Sequence, residues 1–491
     1  MKKKIIFAFI FFFLVVITYI FIGKNIDNSN SQFLRKIKLM IPYDIRQAIK
    51  KNVFVYSYID ILENKIAKKE KNLIDLSYKF TSIHGMHFKR VINKKIITSQ
   101  NKKKYDYTEF QTELLPFLGP HGYFNLYNEN IFLITKSGII NYGNVNLLNS
   151  EKFYFDVIPS NLLEFANYRK FIEHRHYGVK GLLINQNQIY VSLIYQLKKG
   201  CYNTSIFVAK LNFEKLEFKK FFSPDTCVDE DDEYYNIAPE RFQPLQSGGE
   251  MTISKGDNII FSTGEFRKRD LAQDENSVFG KIIEINISSK DYRIISMGHR
   301  NPQGLYYNSD KNILIATEHS AQGGDEINVN YSIESESGKI KNYGWPISSY
   351  GEHYNFNTTD ALKKLYEIAP LNKSHKEFGF IEPLKYYDLN SRAPGVINKL
   401  NKNFNNLGDN QYIVSLMRSR QLHHMILNDE HSKIIENDII KFGGKETDYK
   451  HRVRDIIYDE SKNRVLLLFE KDIKEKDEEY SYWIGILKPL N

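Results

Sequence analysis

The sequence predicts an all-β fold, specifically a six-bladed β-propeller, from two observations. Short apolar runs rich in β-formers recur at intervals of roughly 40–80 residues, and each leaves a Gly, Asn or Asp turn and returns. No long helical stretch separates these runs, as expected for small sheets that bury both faces against their neighbours. The runs are Asn130 to Tyr142, Gln188 to Leu211, Asn258 to Ile287, Asn312 to Val329, Gln411 to Ile426 and Arg464 to Leu487. A two-sheet sandwich is the structural alternative.

The composition places the chain among globular proteins. Hydrophobic residues make up 42% and aromatic residues 14% of the 491 residues, which is enough for a large core and excludes a disordered chain. The net charge of +9 suggests anionic partners, but lysine is enriched throughout and its runs, such as Lys102 to Lys104, are short. No nucleic-acid motif accompanies them. We therefore expect no nucleic-acid partner.

The first 24 residues have the form of a signal anchor. Lys2, Lys3 and Lys4 precede an uncharged run from Ile5 to Ile22. At about 1.5 Å per residue this run nearly spans a hydrocarbon core of about 30 Å. No Ala-x-Ala site follows, so we favour an uncleaved transmembrane helix, with a cleaved signal peptide as the alternative. The propeller would then lie in the periplasm or outside the cell, anchored to the inner membrane.

Residues 25–84 join the anchor to the predicted propeller at 85–491. Asn25 to Gln32 is polar and reads as a linker. From Phe33 to Leu76 apolar residues recur mostly at spacings of three or four, with Pro42 breaking the start, which predicts a helical membrane-proximal segment. This segment is either a stalk or a helix packed on the main domain.

Cys201 and Cys227 are the two cysteines of the chain. Because an exported protein matures in an oxidising compartment, we expect them to form one disulfide that closes a loop of medium length. Two buried free thiols are the alternative.

Three segments between Ser296 and Tyr354 carry most of the chemistry. Gly298 to Gly304 (GHRNPQG) places Arg, Asn and Gln in a constrained loop, where they can hydrogen-bond a flat polar ligand and an Arg can stack on it. Glu318 to Glu326 (EHSAQGGDE) offers carbonyls and carboxylates, the hard oxygen ligands that Ca²⁺ prefers. Asn342 to Pro346 (NYGWP) follows. Three such segments in this order are unlike generic loops.

These segments together resemble the signature of the glucose/sorbosone dehydrogenase family, the soluble aldose dehydrogenases that use pyrroloquinoline quinone (PQQ) and Ca²⁺ on a six-bladed propeller. The resemblance covers roughly residues 110 to 490 and is dense from Gly298 to Gly351. Arg452 to Asp455 (RVRD) resembles the family's late Arg-x-Arg-Asp. Ser247 to Gly249 with Ser262 to Gly264, and Ser391 to Gly395, resemble further family segments.

The resemblance implies the oxidation of a sugar or alcohol by hydride transfer to PQQ, and an unknown electron acceptor. It implies that Arg300, Asn301 and Gln303 contact the quinone, with Arg300 also close to the chemistry. It implies that Arg452 and Arg454 hold cofactor carboxylates in charge-assisted pairs. Ser320 and Ala321 would offer backbone carbonyls to Ca²⁺, and Glu326 and Tyr343 would serve a second calcium.

Two departures bear on catalysis. Gln246 stands where the family has its catalytic His, and an amide cannot take a proton near neutral pH. Glu250, His176 and His319 are the alternative bases. Met417 stands where the family commonly has a Lys that touches the quinone, and Arg418 next to it would point to the opposite face of a strand.

The departures leave two functional hypotheses open. The first is a PQQ-dependent sugar dehydrogenase with an altered site. The second is a catalytically degenerate propeller that binds a carbohydrate or an envelope protein. A purely structural scaffold is disfavoured, because it gives no reason for Arg300, Asn301, Gln303, Arg452 and Arg454 to occur together.

Overall fold

The structure is a computed structural model. It describes residues 79–490 apart from gaps at 113–120, 167–169, 172–173, 175, 238–241, 257, 335–338, 352–373, 388–391, 443–450 and 472–481, and a few isolated helical positions between 65 and 76. The predicted anchor at 1–24 and most of the predicted membrane-proximal segment at 25–84 lie outside the described residues. Within the described residues no helix is long and apolar enough to cross a membrane. Ile74–Asn491 forms one compact unit.

The described part of the chain is almost entirely β-structure. Its strands are β1 (Met86–Thr98), β2 (Lys104–Thr112), β3 (Gly122–Tyr127), β4 (Asn130–Thr135), β5 (Ile140–Asn144), β6 (Lys152–Ile158), β7 (Val179–Asn185), β8 (Gln188–Lys198), β9 (Cys201–Lys210), β10 (Lys219–Phe222), β11 (Val228–Asp229), β12 (Gly248–Ile253), β13 (Ile259–Thr263), β14 (Lys281–Ile285), β15 (Tyr292–Met297), β16 (Pro302–Asn308), β17 (Ile313–Glu318), β18 (Glu326–Asn330), β19 (Lys341–Asn342), β20 (Lys385–Tyr386), β21 (Pro394–Leu400), β22 (Gln411–Leu416), β23 (Gln421–Leu427), β24 (Ile434–Lys441), β25 (His451–Asp459), β26 (Arg464–Lys471) and β27 (Trp483–Leu490). Helices are short: α-helical residues at 79–84 and 170–171, an α-helical turn at Tyr234–Ile237, and 3₁₀ turns at Val145–Asn149, Leu162–Glu164, Arg269–Ala272, Lys376–Phe378 and Glu460–Lys462.

The strands form mostly antiparallel sheets whose members follow one another along the chain. Four sheets have the orders β10-β9-β8-β7, β12-β13-β14-β15-β19, β16-β17-β18-β20 and β21-β22-β23-β24. The largest sheet, β25-β26-β27-β2-β1-β6-β5-β4-β3, is continuous because β1 pairs with both β2 and β6. The pairing of β27 with β2 closes the circle between late and early strands of the chain.

The innermost strands of these sheets pack in a ring. β3 contacts β7, β7 contacts β12, and the series continues through β16, β21 and β25 back to β3. A two-sheet sandwich contains no such ring, whereas a propeller has one around its central channel. The prediction of an all-β fold of the propeller type is therefore confirmed.

Glycines and hydroxyl groups let the innermost strands approach one another closely. A Cβ at Gly181 would lie 2.5 Å from the carbonyl oxygen of Gly249, and a Cβ at Gly304 would lie 2.4 Å from that of Gly395. At similar places, hydroxyls on the second strand of one sheet donate to carbonyls on the innermost strand of the next: Ser192 to Gly249, Ser262 to Pro302 and Thr317 to Gly395. Buried hydroxyls need such partners, so these bonds repeat around the ring.

A β-bulge or similar irregularity recurs where the innermost strands begin. The register shifts between Val179 and Gly181, Gly248 and Met251, Pro302 and Gly304, Pro394 and Ile397, and Val453 and Asp455. A bulge re-aims the side chain of its extra residue. Lys180, Gln303 and Arg454 occupy these positions, so the fold presents polar side chains at this end of the ring.

Cys201 and Cys227 form a disulfide with a Cα–Cα distance of 5.4 Å. Cys201 begins β9, and β11, which follows Cys227, pairs with β9 through Asp229 and Cys201. The bond therefore fixes the segment between these two strands to the edge of its sheet.

Removing the disulfide should destabilise the protein. The bond links residues 26 positions apart. A loop of this size corresponds to a stabilisation of about 3 kcal/mol through the unfolded state. We expect Cys201→Ser with Cys227→Ser to lower the free energy of unfolding by about this amount, measured by urea unfolding without reductant. Reductant should lower the free energy of unfolding of the wild type to that of the double variant. A wild-type unfolding transition that is the same with and without reductant contradicts the prediction.

Candidate functional site

The predicted site residues meet at one end of the ring. We call this the channel end: the end at which β3, β7, β12, β16, β21 and β25 begin. Gln246 precedes β12, Arg300 and Asn301 precede β16, and Arg452 and Arg454 lie in the first residues of β25. Ser320 and Met417 follow the antiparallel partners β17 and β22, which end where β16 and β21 begin. Sequence-distant segments thus converge because antiparallel neighbours share their ends.

Arg300 is held by the segment that follows β17 and by a buried carboxylate. Its Nη1 donates to the carbonyl oxygens of His319 and Ser320, and its Nε lies 3.9 Å from Oε1 of Glu265. Trp345 completes the arrangement: its ring lies 5.4 Å from the guanidinium carbon of Arg300, and its Nε1 donates to Oε2 of Glu265 at 3.1 Å. The sequence did not identify Glu265, although it directly follows the Ser262 to Gly264 motif.

Asn301 and Gln303 connect the beginnings of β12 and β16. The side-chain oxygen of Asn301 accepts the amide N–H of Gly248 and the Nε2 of Gln303, each at 3.1 Å. Asn301 is buried and Gln303 is half-buried. Asn301 therefore orients the turn that carries Gln246, and Gln303 retains exposed surface at the channel end.

Gln246 is buried, with 4% of its surface exposed, and its Oε1 has no hydrogen-bond partner among the described residues. Other buried polar atoms at the channel end share this state in the described part of the chain, among them Ser247 Oγ, His319 Nε2, Ser415 Oγ and Arg300 Nε. Buried polar atoms without partners are infrequent in folded proteins. Their concentration here indicates a place for a polar ligand.

Arg452 and Arg454 both pair with Glu470, a buried carboxylate on β26. Nε and Nη2 of Arg454 donate to the two oxygens of Glu470 at 2.7 and 3.0 Å, and Nε of Arg452 lies 3.4 Å from Oε1. Burial lowers the pKa of Arg454, but the interaction with Glu470 outweighs it and raises the pKa overall. The sequence identified both arginines and missed Glu470.

Met417 and Arg418 lie in different environments. Met417 is buried, and its Cγ lies 3.6 Å from the place where a Cβ on Gly395 would be. Arg418 is exposed. The neighbouring cation therefore does not replace a lysine at position 417. Both residues lie in the turn between β22 and β23, so the expected strand alternation is not the cause.

The alternative bases differ in their protonation. Burial, and then Asp455, raise the pKa of Glu250 well above its usual range. Burial lowers the pKa of His319 to about 4, despite the nearby Asp325, so its imidazole is neutral and weakly basic. His176 is half-buried, and its carbonyl oxygen accepts a hydrogen bond from Lys180.

The residues expected to bind calcium are engaged by other groups. The carbonyl of Ser320 accepts from Arg300, while Ala321 packs with Ala272 and Trp345. Oε1 of Glu326 lies 3.0 Å from Nε2 of His375, and the hydroxyl of Tyr343 donates to the carbonyl of Val329. Among the described residues there is no group of three or more His, Cys, Asp or Glu side chains placed to hold a metal. Both calcium assignments therefore stay predictions.

The residues at the channel end do fit an anionic, planar cofactor such as PQQ. Arg300, Arg452 and Arg454 provide guanidinium groups, which pair with carboxylates in bidentate geometry. Gln246, Ser247 and Ser415 provide the unpartnered buried polar atoms described above. The fold and this cluster define a propeller-type domain with a cation-rich site at the channel end.

A family model described as glucose/sorbosone dehydrogenase matches residues 183–474. The match spans more than half of the chain, which therefore belongs to this family. The aldose sugar dehydrogenase YliI of Escherichia coli (strain K12) is 33% identical over 120 residues, covering 22% of this chain and 30% of that protein. The uncharacterized protein slr1608 of Synechocystis is 29% identical over 220 residues, covering 42% of this chain and 47% of that protein. The chain thus spans less than half the length of these curated relatives.

Solved structures show the same fold. The soluble aldose sugar dehydrogenase of Escherichia coli in its apo form has a TM-score of 0.54 at 19% identity, covering 78% of this chain and all of that one. A glucose dehydrogenase crystal structure has a TM-score of 0.54 at 17% identity, covering 75% of this chain and 96% of that one. At these identities the likeness concerns the fold.

Proposed function

We propose that the protein is a PQQ-dependent dehydrogenase that oxidises a sugar or an alcohol at the channel end. The observation that carries this proposal is the convergence of Arg300, Arg452 and Arg454 around buried polar atoms that lack partners, among them Oε1 of Gln246. Arg452 and Arg454 would hold cofactor carboxylates, while Arg300, Asn301 and Gln303 would contact the ring system. When bound, PQQ supplies a two-electron acceptor for a hydride from the substrate.

The test is a titration of the full-length protein, solubilised in detergent, with PQQ, following cofactor absorbance. We expect saturable one-to-one binding, and dye reduction when aldoses or alcohols are added. The titration is run with and without CaCl₂, since the proposal assigns no step to calcium while Arg300 occupies the carbonyl of Ser320. Absence of saturable PQQ binding under both conditions would refute the proposed function.

The substrate's hydroxyl proton needs an acceptor other than Gln246. Glu265 is adjacent to the Gln246 segment, because the amide N–H of Phe266 donates to the carbonyl of Gln246 at 2.8 Å. Its carboxylate forms an ion pair with Arg300 and is buried. Burial disfavours the charged form of Glu250, and His319 is weakly basic, so we propose Glu265 as the proton acceptor.

Glu265→Gln should lower kcat by about 10²- to 10⁴-fold, as the loss of a general base does. The measurement is dye reduction at saturating substrate and PQQ. The matched control is Glu284→Gln, which alters another buried carboxylate paired with an arginine, Arg293, outside the channel end. The control variant should have a kcat within about 2-fold of the wild-type value, since the substitution leaves the surroundings of the site unchanged. A Glu265→Gln enzyme with wild-type kcat, combined with loss of turnover in His319→Asn, would assign the role to His319 instead.

A non-catalytic propeller is the second candidate function, favoured by Gln246 and Met417 at positions where the family has ionisable groups. In this case the channel end binds a carbohydrate or an envelope protein without turnover. Saturable binding of PQQ or sugar without dye reduction, not rescued by Gln246→His, would support it. Turnover by the wild-type protein would exclude it.

We also propose that the protein is a single-pass inner-membrane protein with six propeller blades facing the periplasm or the outside. The ring of six innermost strands supports the blade number. The apolar run from Ile5 to Ile22 after three lysines supports the anchor, and the disulfide suits an oxidising compartment. Protease digestion of intact spheroplasts tests this: we expect the propeller to be cleaved from outside, and full protection would contradict it.

A further inference from the structure

Lys180 is a buried lysine at the channel end that the proposed function does not use. It lies in the bulge between Val179 and Gly181 at the start of β7, with 6% of its surface exposed. Within the described residues its Nζ donates to one group, the carbonyl of His176 at 3.1 Å. An ammonium group has three N–H donors, so two of them have no acceptor in the part of the chain that the structure describes.

A second buried lysine shows what a structural role looks like in this fold. Lys281, on β14, is fully buried, and its Nζ donates to the carbonyl oxygens of Leu271, Ala272 and Phe279 at 2.8, 3.0 and 2.9 Å. The backbone therefore uses all three donors of Lys281. Lys180 differs because its surroundings leave donors available.

The electrostatic surroundings of Lys180 contain more cationic than anionic groups. Burial, followed by Arg454 and Lys136, lowers the pKa of Lys180 to about 7, and Glu470 opposes this change. Glu470 is already shared by Arg452 and Arg454. Burial also lowers the pKa of Lys136 to about 7, and the pKa of His121 falls well below its usual range through burial and these same cations. A carboxylate bound here would favour the charged form of Lys180.

Lys180 packs against β12, the neighbouring innermost strand, close in the chain to residues with unpartnered atoms. A Cβ on Gly249 of β12 would lie 2.2 Å from Cβ of Lys180, so the glycine leaves room for the lysine. Gln246 and Ser247, which carry unpartnered buried oxygens, directly precede Gly248 and Gly249. The free donors of Lys180 and these acceptors therefore belong to adjoining strands at the channel end.

We infer that Lys180 is an anion-binding residue that holds a carboxylate of the ligand at the channel end. Resting on the proposed function, that carboxylate belongs to PQQ or to an acidic sugar substrate such as a uronic acid. Lys180 thereby supplies a cation at the channel end. This chain has Met417 where the family commonly has a lysine. Neither the family match nor the three sequence segments points to this position.

The test compares wild-type protein, Lys180→Met and the control Lys281→Met, all as full-length chains. PQQ affinity is measured by absorbance titration, and binding of glucuronate and glucose by isothermal titration with and without PQQ. If the carboxylate is that of PQQ, Lys180→Met weakens PQQ binding about 10- to 100-fold, as expected for a lost hydrogen bond to a charged group. If the carboxylate is that of the substrate, Lys180→Met keeps the wild-type affinity for PQQ and for glucose, and its affinity for glucuronate falls by a similar factor.

Thermal unfolding separates binding from folding. Lys180→Met removes a poorly partnered buried cation, so its Tm should equal or exceed that of the wild type, whereas Lys281→Met should lower the Tm. Unchanged affinity for both PQQ and glucuronate in Lys180→Met overturns the inference. If the wild-type protein binds no PQQ, the proposed function is refuted. In that case the affinity for glucuronate without cofactor tests Lys180 by itself, and equal affinities of the wild type and Lys180→Met overturn the inference.

Discussion

In a Glu265→Gln background, which lacks the proposed proton acceptor, Gln246→His should raise kcat by about 10²- to 10⁴-fold, the contribution of a general base. Gln246 is buried at the channel end, and its Oε1 lacks a protein partner, so it can accept a hydrogen bond from a substrate hydroxyl but cannot take the proton. An imidazole at this position offers a nitrogen that can do both. The measurement is dye reduction at saturating PQQ with a fixed panel of aldoses and alcohols.

The pH profile of this variant identifies the group that acts. The turnover of Gln246→His should rise with pH through the pKa of the new imidazole, because its neutral form accepts the proton. Gln196→His, which places an imidazole on the exposed part of β8, should leave kcat and its pH dependence unchanged. If Gln246→His does not raise the turnover of the Glu265→Gln protein while PQQ still binds, an imidazole at this position takes no proton from the substrate, and the placement of Gln246 at the base position is wrong.

The sequence predicted the fold well because its signals are local. Asn130 to Tyr142 covers β4 and the start of β5, and Gln188 to Leu211 covers β8 and β9. The strand predicted at Met417 and Arg418 was wrong, because β22 ends at Leu416 and both residues lie in the following turn. The innermost strands β3, β7 and β16 fell outside the predicted runs, because short strands that begin at a glycine or a bulge carry little periodic signal.

The candidate site was only partly predictable, and the residues that were missed share a physical cause. Arg452 and Arg454 belong to a recognisable motif, whereas Glu470 becomes their partner only through the antiparallel pairing of β25 and β26. Lys180 reads as an ordinary surface lysine in the sequence, and only the bulge at the start of β7 buries it. Glu265 depends on contacts with Arg300 and Trp345, which lie 35 and more residues away. Such groups are defined by tertiary pairing and burial, which a single sequence does not contain.

Arg454→Met should both destabilise the protein and abolish PQQ binding. Among the described residues the substitution leaves buried Glu470 with the longer contact to Arg452, and the loss of one partner of a buried pair costs about 3–5 kcal/mol. The same change removes a guanidinium that we propose for a cofactor carboxylate. Urea unfolding and PQQ titration of the full-length variant measure the two effects.

Two further variants separate stability from binding. Arg454→Met with Glu470→Leu removes the whole pair, so it should recover most of the lost stability while PQQ binding stays weak. Arg464→Met breaks a comparable pair, since Nε of Arg464 lies 2.8 Å from Oδ2 of Asp459, at the opposite end of β26. It should destabilise the protein without changing the affinity for PQQ. If the double variant recovers both stability and PQQ affinity, Arg454 serves only to neutralise Glu470, and the cofactor carboxylates are held elsewhere at the channel end.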